Sequence, residues 1–422
     1  MLLQCNMRKI LFFVLLLALL PQIRVQGQGM SGPWKGKLKA GTQELTMALH
    51  IDEGKKSVTM DIIEQGAVGL EMQVKTLTDD SLLVSIPKLM LTFSGKRTGD
   101  KIKGTFVQRL QPLDVEMERG EVSFNRPQDP VPPFPYQTEE VFFDNPSANV
   151  TLAGTLTYPV GYKKRKRPPV VLMVTGSGAE NRDEEIFYHK PFLVIADWLA
   201  RHGIASLRYD DRGFAKSTGV FNGATTQDFS GDAEAGIRYL RSLGKFSKVG
   251  LLGHSEGGGI GYMLAAENAI DFLVSLSGPA CKIDTLMMVQ LNLISRSQGA
   301  ARDICKTPED ASNYLKATSP GNKWMEYFIA MDLRPYVAKT HCPVLALGAE
   351  NDLNVPPSVN NEALERCLPK NPKNVIKVYP GLSHLFHHSP TGNPILAPHI
   401  EETISPEVLQ DISEWILLVA ED

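Results

Sequence analysis

The chain has 422 residues, 43% of them hydrophobic and 22% charged, and a formal net charge of −3. This is enough chain for two or three domains of ordinary globular balance. The weak negative charge excludes a partner recognised through a strongly basic surface, nucleic acid above all.

Arg8 and Lys9 precede an apolar run from Ile10 to Leu20, and Pro21 and Val25-Gln26-Gly27 follow. That layout predicts a secretory signal peptide over residues 1–27, because the run is too short to span a bilayer. The expected location is periplasmic or secreted, with no stable membrane insertion after cleavage. Cys5 leaves with the signal, so Cys281, Cys305, Cys342 and Cys367 remain. Export permits disulfides, but the spacing does not choose among pairings or free thiols.

Residues 28–125 read as a small antiparallel domain, a barrel or a sandwich. Short alternating segments recur at 45–51, 57–62, 82–86, 90–95 and 102–106, separated by Asp52-Glu53-Gly54, Asp79-Asp80-Ser81 and Gly99-Asp100. The opening Gly32-Pro33-Trp34-Lys35-Gly36 predicts a first strand whose tryptophan plugs one end. His50 is the sole histidine here and reads as a strand residue. Residues 126–136 hold five prolines and predict a semi-rigid linker.

From 137 to 422 the texture is that of an α/β domain. After two opening strands at 139–143 and 150–157, a basic stretch, Lys163–Arg167, reads as a solvated turn. Continuous apolar strands at 170–174, 204–209, 249–253, 272–277, 344–347 and 375–379 alternate with helical patterns at 190–202, 226–243, 256–268, 356–368 and 405–420. Such runs predict a parallel sheet covered on both faces. Three helical patterns at about 280–340 break the rhythm and predict a cap over the C-terminal edge of the sheet.

The chemistry centres on Gly253-His254-Ser255-Glu256-Gly257, a G-x-S-x-G elbow between a strand and a helix. Asp352 follows the strand at 344–347, and His384 follows the strand at 375–379. The order Ser255, Asp352, His384 fits a serine nucleophile, an orienting acid and a general base. Glu350 is an alternative acid, and His387 and His388 are alternative bases. No tight carboxylate spacing supports a metal, and no cofactor is expected. The oxyanion hole needs two N–H donors. Glu256 supplies one from the helix N-terminus, and the other comes from Gly176-Ser177-Gly178, with Ser177 first and Gly178 second. Gly178, Trp324 and Tyr327 are expected to contact substrate, and His254 to lie packed under the turn.

On these motifs, together with Asn181-Arg182-Asp183, Arg208-Tyr209-Asp210-Asp211-Arg212-Gly213 and Ser217-Thr218-Gly219, the chain resembles the bacterial two-domain α/β-hydrolase carboxylesterases. These are secreted enzymes with a small β domain before the hydrolase domain. The resemblance implies hydrolysis of short-chain carboxylic esters, with a small-molecule ester as partner. Ala215 departs from the glycine usual there. Asp211 and Arg212 read as buried ion-pairing that pins the loops. A serine peptidase or acyltransferase would use the same triad, and a degenerate ligand-binding protein is the reading of another class. A homodimer is left open.

Overall fold

The computed structural model describes residues 29–41, 43–163 and 167–421. The segment expected to be a signal peptide and the middle of the basic stretch, Lys164–Lys166, lie outside the described residues. Two compact units divide the chain, the first built from residues up to Ile63 with Ala67–Val122, the second from Glu64–Gly66 with Ser123–Asp422.

The first unit is a closed barrel of eight antiparallel strands. They are β1 (Gly32–Ala40), β2 (Gln43–Asp52), β3 (Ser57–Ile62), β4 (Ala67–Leu77), β5 (Ser81–Ile86), β6 (Leu91–Thr98), β7 (Lys101–Gln108) and β8 (Gln111–Arg119). Each pairs with the next, and β1 closes on β8 with Trp34 opposite Arg119 and Gly36 opposite Met117. Alternation sends Leu49, Ile51, Val58, Met60, Val84, Phe93, Ile102 and Met117 into one core. Trp34 is fully buried in it; its Nε1 donates to the Met30 carbonyl at 2.8 Å and the Arg119 guanidinium lies 4.2 Å from its ring centre. Gly104 makes room for Phe93, since a β-carbon there would stand 2.7 Å from the ring. Two strands have no counterpart in the alternating segments. β4 is largely exposed and has Gly69 at φ +66°, and β8 opens on Gln111-Pro112 before Asp114, Glu116 and Glu118 at alternate positions.

The second unit carries an eight-stranded sheet with β9 (Thr138–Asn145), β10 (Val150–Thr157), β11 (Val170–Val174), β12 (Ala205–Tyr209), β13 (Val249–His254), β14 (Leu273–Leu276), β15 (Val344–Ala349) and β16 (Val375–Tyr379). The spatial order is β9-β10-β12-β11-β13-β14-β15-β16, with β10 antiparallel and β11 to β16 mutually parallel. This is the α/β-hydrolase fold. Alternate residues of each strand serve opposite faces. Leu172, Leu207, Leu251 and Leu273 pack with α2 (Thr226–Ser242) and α3 (Glu256–Ala266). Met173, Leu252, Val274 and Leu345 pack with α1 (Pro191–Arg201) and α9 (Pro406–Ala420). A capping box starts α2: Thr225 and Asp228 satisfy each other's backbone N–H groups.

Between β14 and β15 lie α4 (Ile283–Ser297), α5 (Pro308–Thr318), α6 (Lys323–Ala330) and the short α7 (Arg334–Val337). Their own apolar cluster joins Leu286, Met287, Phe328, Ile329 and Leu333 to Met263 of α3. Where three helical patterns are expected at about 280–340 there are four helices, because the last pattern is split. Met331 turns extended, and Pro335 opens the next segment. After β15 comes α8 (Pro357–Cys367), whose Asn360 fixes the entrance to the cap by accepting from the Ala280 N–H and donating to the Gly278 carbonyl.

The start of the proline-rich stretch is tied down by side-chain hydrogen bonds. Arg126 donates to the carbonyls of Phe187, Tyr188, Pro398 and Ile400, and Gln128 bonds the backbone of Thr403 and Ile404. All these partners belong to the hydrolase unit. The four cysteines are free thiols.

Candidate active site

The end of β13 makes a sharp turn. Ser255 has φ +51° and ψ −121°, a conformation that costs a side-chain-bearing residue free energy. Its N–H donates to the Leu276 carbonyl and its carbonyl accepts from Gly258. A β-carbon at Gly257 would collide with the Val174 carbonyl, so only glycine lets α3 lie this close to β11. The turn presents Ser255 to a cavity of about 260 Å³ that is also lined by His384.

His384 Nδ1 lies 2.8 Å from Asp352 Oδ2, and the Asp352 carboxylate is fully buried. Its other oxygen accepts the N–H groups of Asn354 and Val355, each at 2.8 Å. Burial alone would raise this carboxyl; the charge and hydrogen bond of His384 and the Val355 N–H outweigh it and hold it below its ordinary value. The alternatives are occupied elsewhere. Glu350 accepts from the Gly381 N–H, and His388 pairs with Glu402 at the surface. His387 is buried beside His189, and burial drives its pKa down to about 3.

The loop after β11 passes close to Ser255: a β-carbon on Gly176 would stand 3.4 Å from the Ser255 Cβ. Ser177 lines the same cavity, and its hydroxyl donates to Glu256 at 2.7 Å. Thr226 at 2.6 Å and Trp324 Nε1 at 3.0 Å donate to the other oxygen of Glu256. Burial pushes the Glu256 carboxyl up, against these three bonds. Thus Glu256 offers its N–H at the start of α3 while its side chain ties the loop to α2 and α6. Of the residues expected to contact substrate, Trp324 lines the cavity. Gly178 and Tyr327 do not; Tyr327 points its hydroxyl toward Gln227, 3.4 Å away. Leu286, Met287, Met325 and Phe328 of the cap supply the apolar wall instead.

The Asp-Arg segments pair across loops, not between neighbours. Arg182 clasps Asp210, Arg208 meets Asp183, and Arg212 holds Asp232 through two bonds of 2.6 and 2.8 Å. Ion-pairing therefore describes Arg212 but not Asp211, which accepts from the Glu180 N–H and the Thr175 hydroxyl. Burial raises Asp211 to about 7. Ala215 sits at φ +44°, the left-handed region that favours glycine. Among the described residues no His, Cys, Asp or Glu group is arranged to hold a metal.

His254 does more than lie packed under the turn. Its Nδ1 is 2.8 Å from Glu184 and its Nε2 is 3.0 Å from the His384 carbonyl. Neither contact had a signal in the sequence, since Glu184 lies 70 residues away on another loop.

The fold is that of an α/β-hydrolase, with Ser255 at the elbow between β13 and α3. Residues 189–391 match the family described as serine aminopeptidase, S33. Esterase EstD of Thermotoga maritima is 31% identical over 156 residues, and the chain spans 37% of the length of this curated relative. Two solved structures are also similar. Est1E from Butyrivibrio proteoclasticus is 18% identical, with 67% of this chain and 99% of that one covered and a TM-score of 0.46. The esterase Pf2001 of Pyrococcus furiosus is 18% identical, with 71% and 99% covered and a TM-score of 0.45.

Proposed function

We propose that the chain is a serine carboxylesterase hydrolysing short-chain carboxylic esters. The observation that carries this reading is Ser255, strained at the strand–helix turn and sharing a cavity with a histidine anchored by a buried aspartate. Ser255 Oγ attacks the ester carbonyl as His384 removes its proton. The N–H groups of Ser177 and Glu256 stabilise the oxyanion. His384 returns the proton to the departing alcohol, leaving an acyl-enzyme. Water, deprotonated by His384, then releases the acid and restores Ser255. Asp352 holds the imidazole in its tautomer and balances its charge. The similarity to EstD supports ester chemistry. The small cavity, walled by Leu286, Met287 and Phe328, supports short acyl groups.

Kinetics of Ser255→Ala on p-nitrophenyl acetate test the mechanism. Turnover should fall by about 10⁴-fold or more; near-normal hydrolysis would refute it. Palmitoyl esters turned over faster than acetyl or butyryl esters would refute the short-chain assignment. The S33 match favours a second reading, a serine peptidase on the same residues. Aminoacyl p-nitroanilides cleaved faster than acetyl esters would establish it. We also propose export, with cleavage near Gly27. Mass spectrometry of the native protein should find a new N-terminus there, and a retained Met1 or Met7 would contradict it.

A further inference from the structure

Behind the nucleophile strand lies a buried charged pair to which the ester mechanism assigns no step. The side chains of His254 and Glu184 are 8% and 2% exposed. His254 faces an acceptor at each ring nitrogen: Glu184 Oε1 at Nδ1 and the His384 carbonyl at Nε2. A neutral imidazole has a single N–H and satisfies one acceptor by donation; two donations require the imidazolium. Glu184 is its counter-charge, and the same Oε1 accepts the Gly176 N–H at 3.1 Å. The network therefore touches three segments: the loop carrying Ser177, the last residue of β13 and the loop carrying His384.

We propose that His254 is a positioning residue that clamps the His384 backbone to Glu184 and, through Glu184, to Gly176, fixing the general base and the oxyanion loop around Ser255. This rests on the serine mechanism above. The Asp352 bond fixes the His384 ring, and the His254 bond fixes its main chain; the two together leave the imidazole little freedom to swing. Misplacing such a group by about 1 Å costs on the order of 10²-fold in rate.

The electrostatics agree. Burial would depress His254, but the Glu184 charge and hydrogen bond, the His384 carbonyl and nearby Asp352 hold it above its ordinary value. The His384 ring stands 4.6 Å away, centre to centre. Glu180, beside Glu184, has its carboxyl pushed well up by burial and by Glu184, Asp211 and Glu256.

Two substitutions separate the arms of the clamp. In His254→Asn the amide overlies Nδ1 and keeps Glu184; in His254→Gln it overlies Nε2 and keeps the His384 carbonyl. With the full-length protein and p-nitrophenyl acetate, His254→Asn should lower kcat by roughly 10- to 100-fold with KM within about twofold. His254→Gln should rescue kcat to at least about tenfold above the Asn variant. A merely structural role would lower both alike, and equal kcat values would overturn the proposal. Nitrogen-15 NMR of histidine-labelled wild-type protein at neutral pH gives a readout that needs no activity. The ring signal missing from either variant should show both nitrogens protonated, and a neutral ring would overturn the proposal even if a variant fails to fold. If Ser255→Ala stays active, the serine mechanism falls, while the NMR result still reports on the clamp.

Discussion

The barrel and the hydrolase unit bury different things. The barrel core is aliphatic and thioether-rich, with Met30, Met47, Met60, Met72 and Met117 around Trp34 and Phe93, and the buried polar residues among its described residues are Thr46, Asp61 and Ser85. The hydrolase unit buries Glu184, Arg208, Asp210, Arg212, Asp232, His254, Glu256 and Asp352. A buried charge is costly unless partnered, and an apolar substitute is often as stable. Apart from Asp232 within α2 and Glu256 at the start of α3, these groups lie at the ends of the parallel strands and on the loops that follow them. That is where this fold places ligands. Among its described residues the barrel thus buries one charged group, Asp61, held by His50 and the Gly69 N–H, whereas the hydrolase unit commits many buried charges to the neighbourhood of Ser255.

The sharpest break in this contrast is chemical. His384→Ala should match Ser255→Ala in losing about 10⁴-fold or more in turnover, and the double variant should lose little further because the residues act as one unit. Independent, multiplying losses in steady-state kinetics would contradict the shared mechanism. Next come two stability changes of similar size and opposite functional meaning. Arg212→Met leaves Asp232 buried without its partner and should cost about 3–5 kcal/mol in denaturant unfolding. Trp34→Ala should cost about 3–5 kcal/mol of barrel stability, yet leave kcat on a small ester within about twofold of the parent, because no residue proposed for catalysis lies in the barrel. A tenfold fall in kcat for a folded Trp34→Ala protein would erase the distinction between the units. Removing residues 28–125 sharpens it further: Ser255 should remain reactive toward acetyl esters, and a folded but inert truncation would show that the barrel helps to build the site.

The smallest effect is a pH dependence. The folded Asp352 carboxyl lies below the ordinary value of 3.8 expected for the unfolded chain. Its contribution is therefore present above that pH and is lost as pH falls through the folded value. Asp352→Asn should lose less stability than the parent across that acid range, as judged by urea unfolding. Equal slopes would contradict the assigned shift.

The sequence made some of this legible, and the reason is range. Strands β11 to β15 are short, apolar-rich and almost wholly buried, whereas the edge strand β16 holds Lys377 and is largely exposed; in each the pattern is local, and the ends are read to within two residues. The elbow and the loops bearing Asp352 and His384 are equally local, each following directly on such a strand. β4 is hidden because most of its side chains face solvent, and β8 because Pro112 stands at its start and its alternate positions carry Asp114, Glu116 and Glu118. The Asp-Arg pairing was misread for Asp211 because partners lie across loops; the neighbouring pair in the sequence is not a pair in space. The His254 clamp and the side-chain role of Glu256 depend on residues 30 to 130 positions away, and no periodicity announces them.

The central claim is that Ser255 is a nucleophile made reactive by its surroundings. Treating the full-length protein with a serine-directed fluorophosphonate and mapping the adduct by peptide mass spectrometry tests it most directly. A single adduct on Ser255, lost in Ser255→Ala and strongly slowed in His384→Ala, is the predicted result. An unlabelled Ser255, or labelling at the same rate without His384, would contradict it.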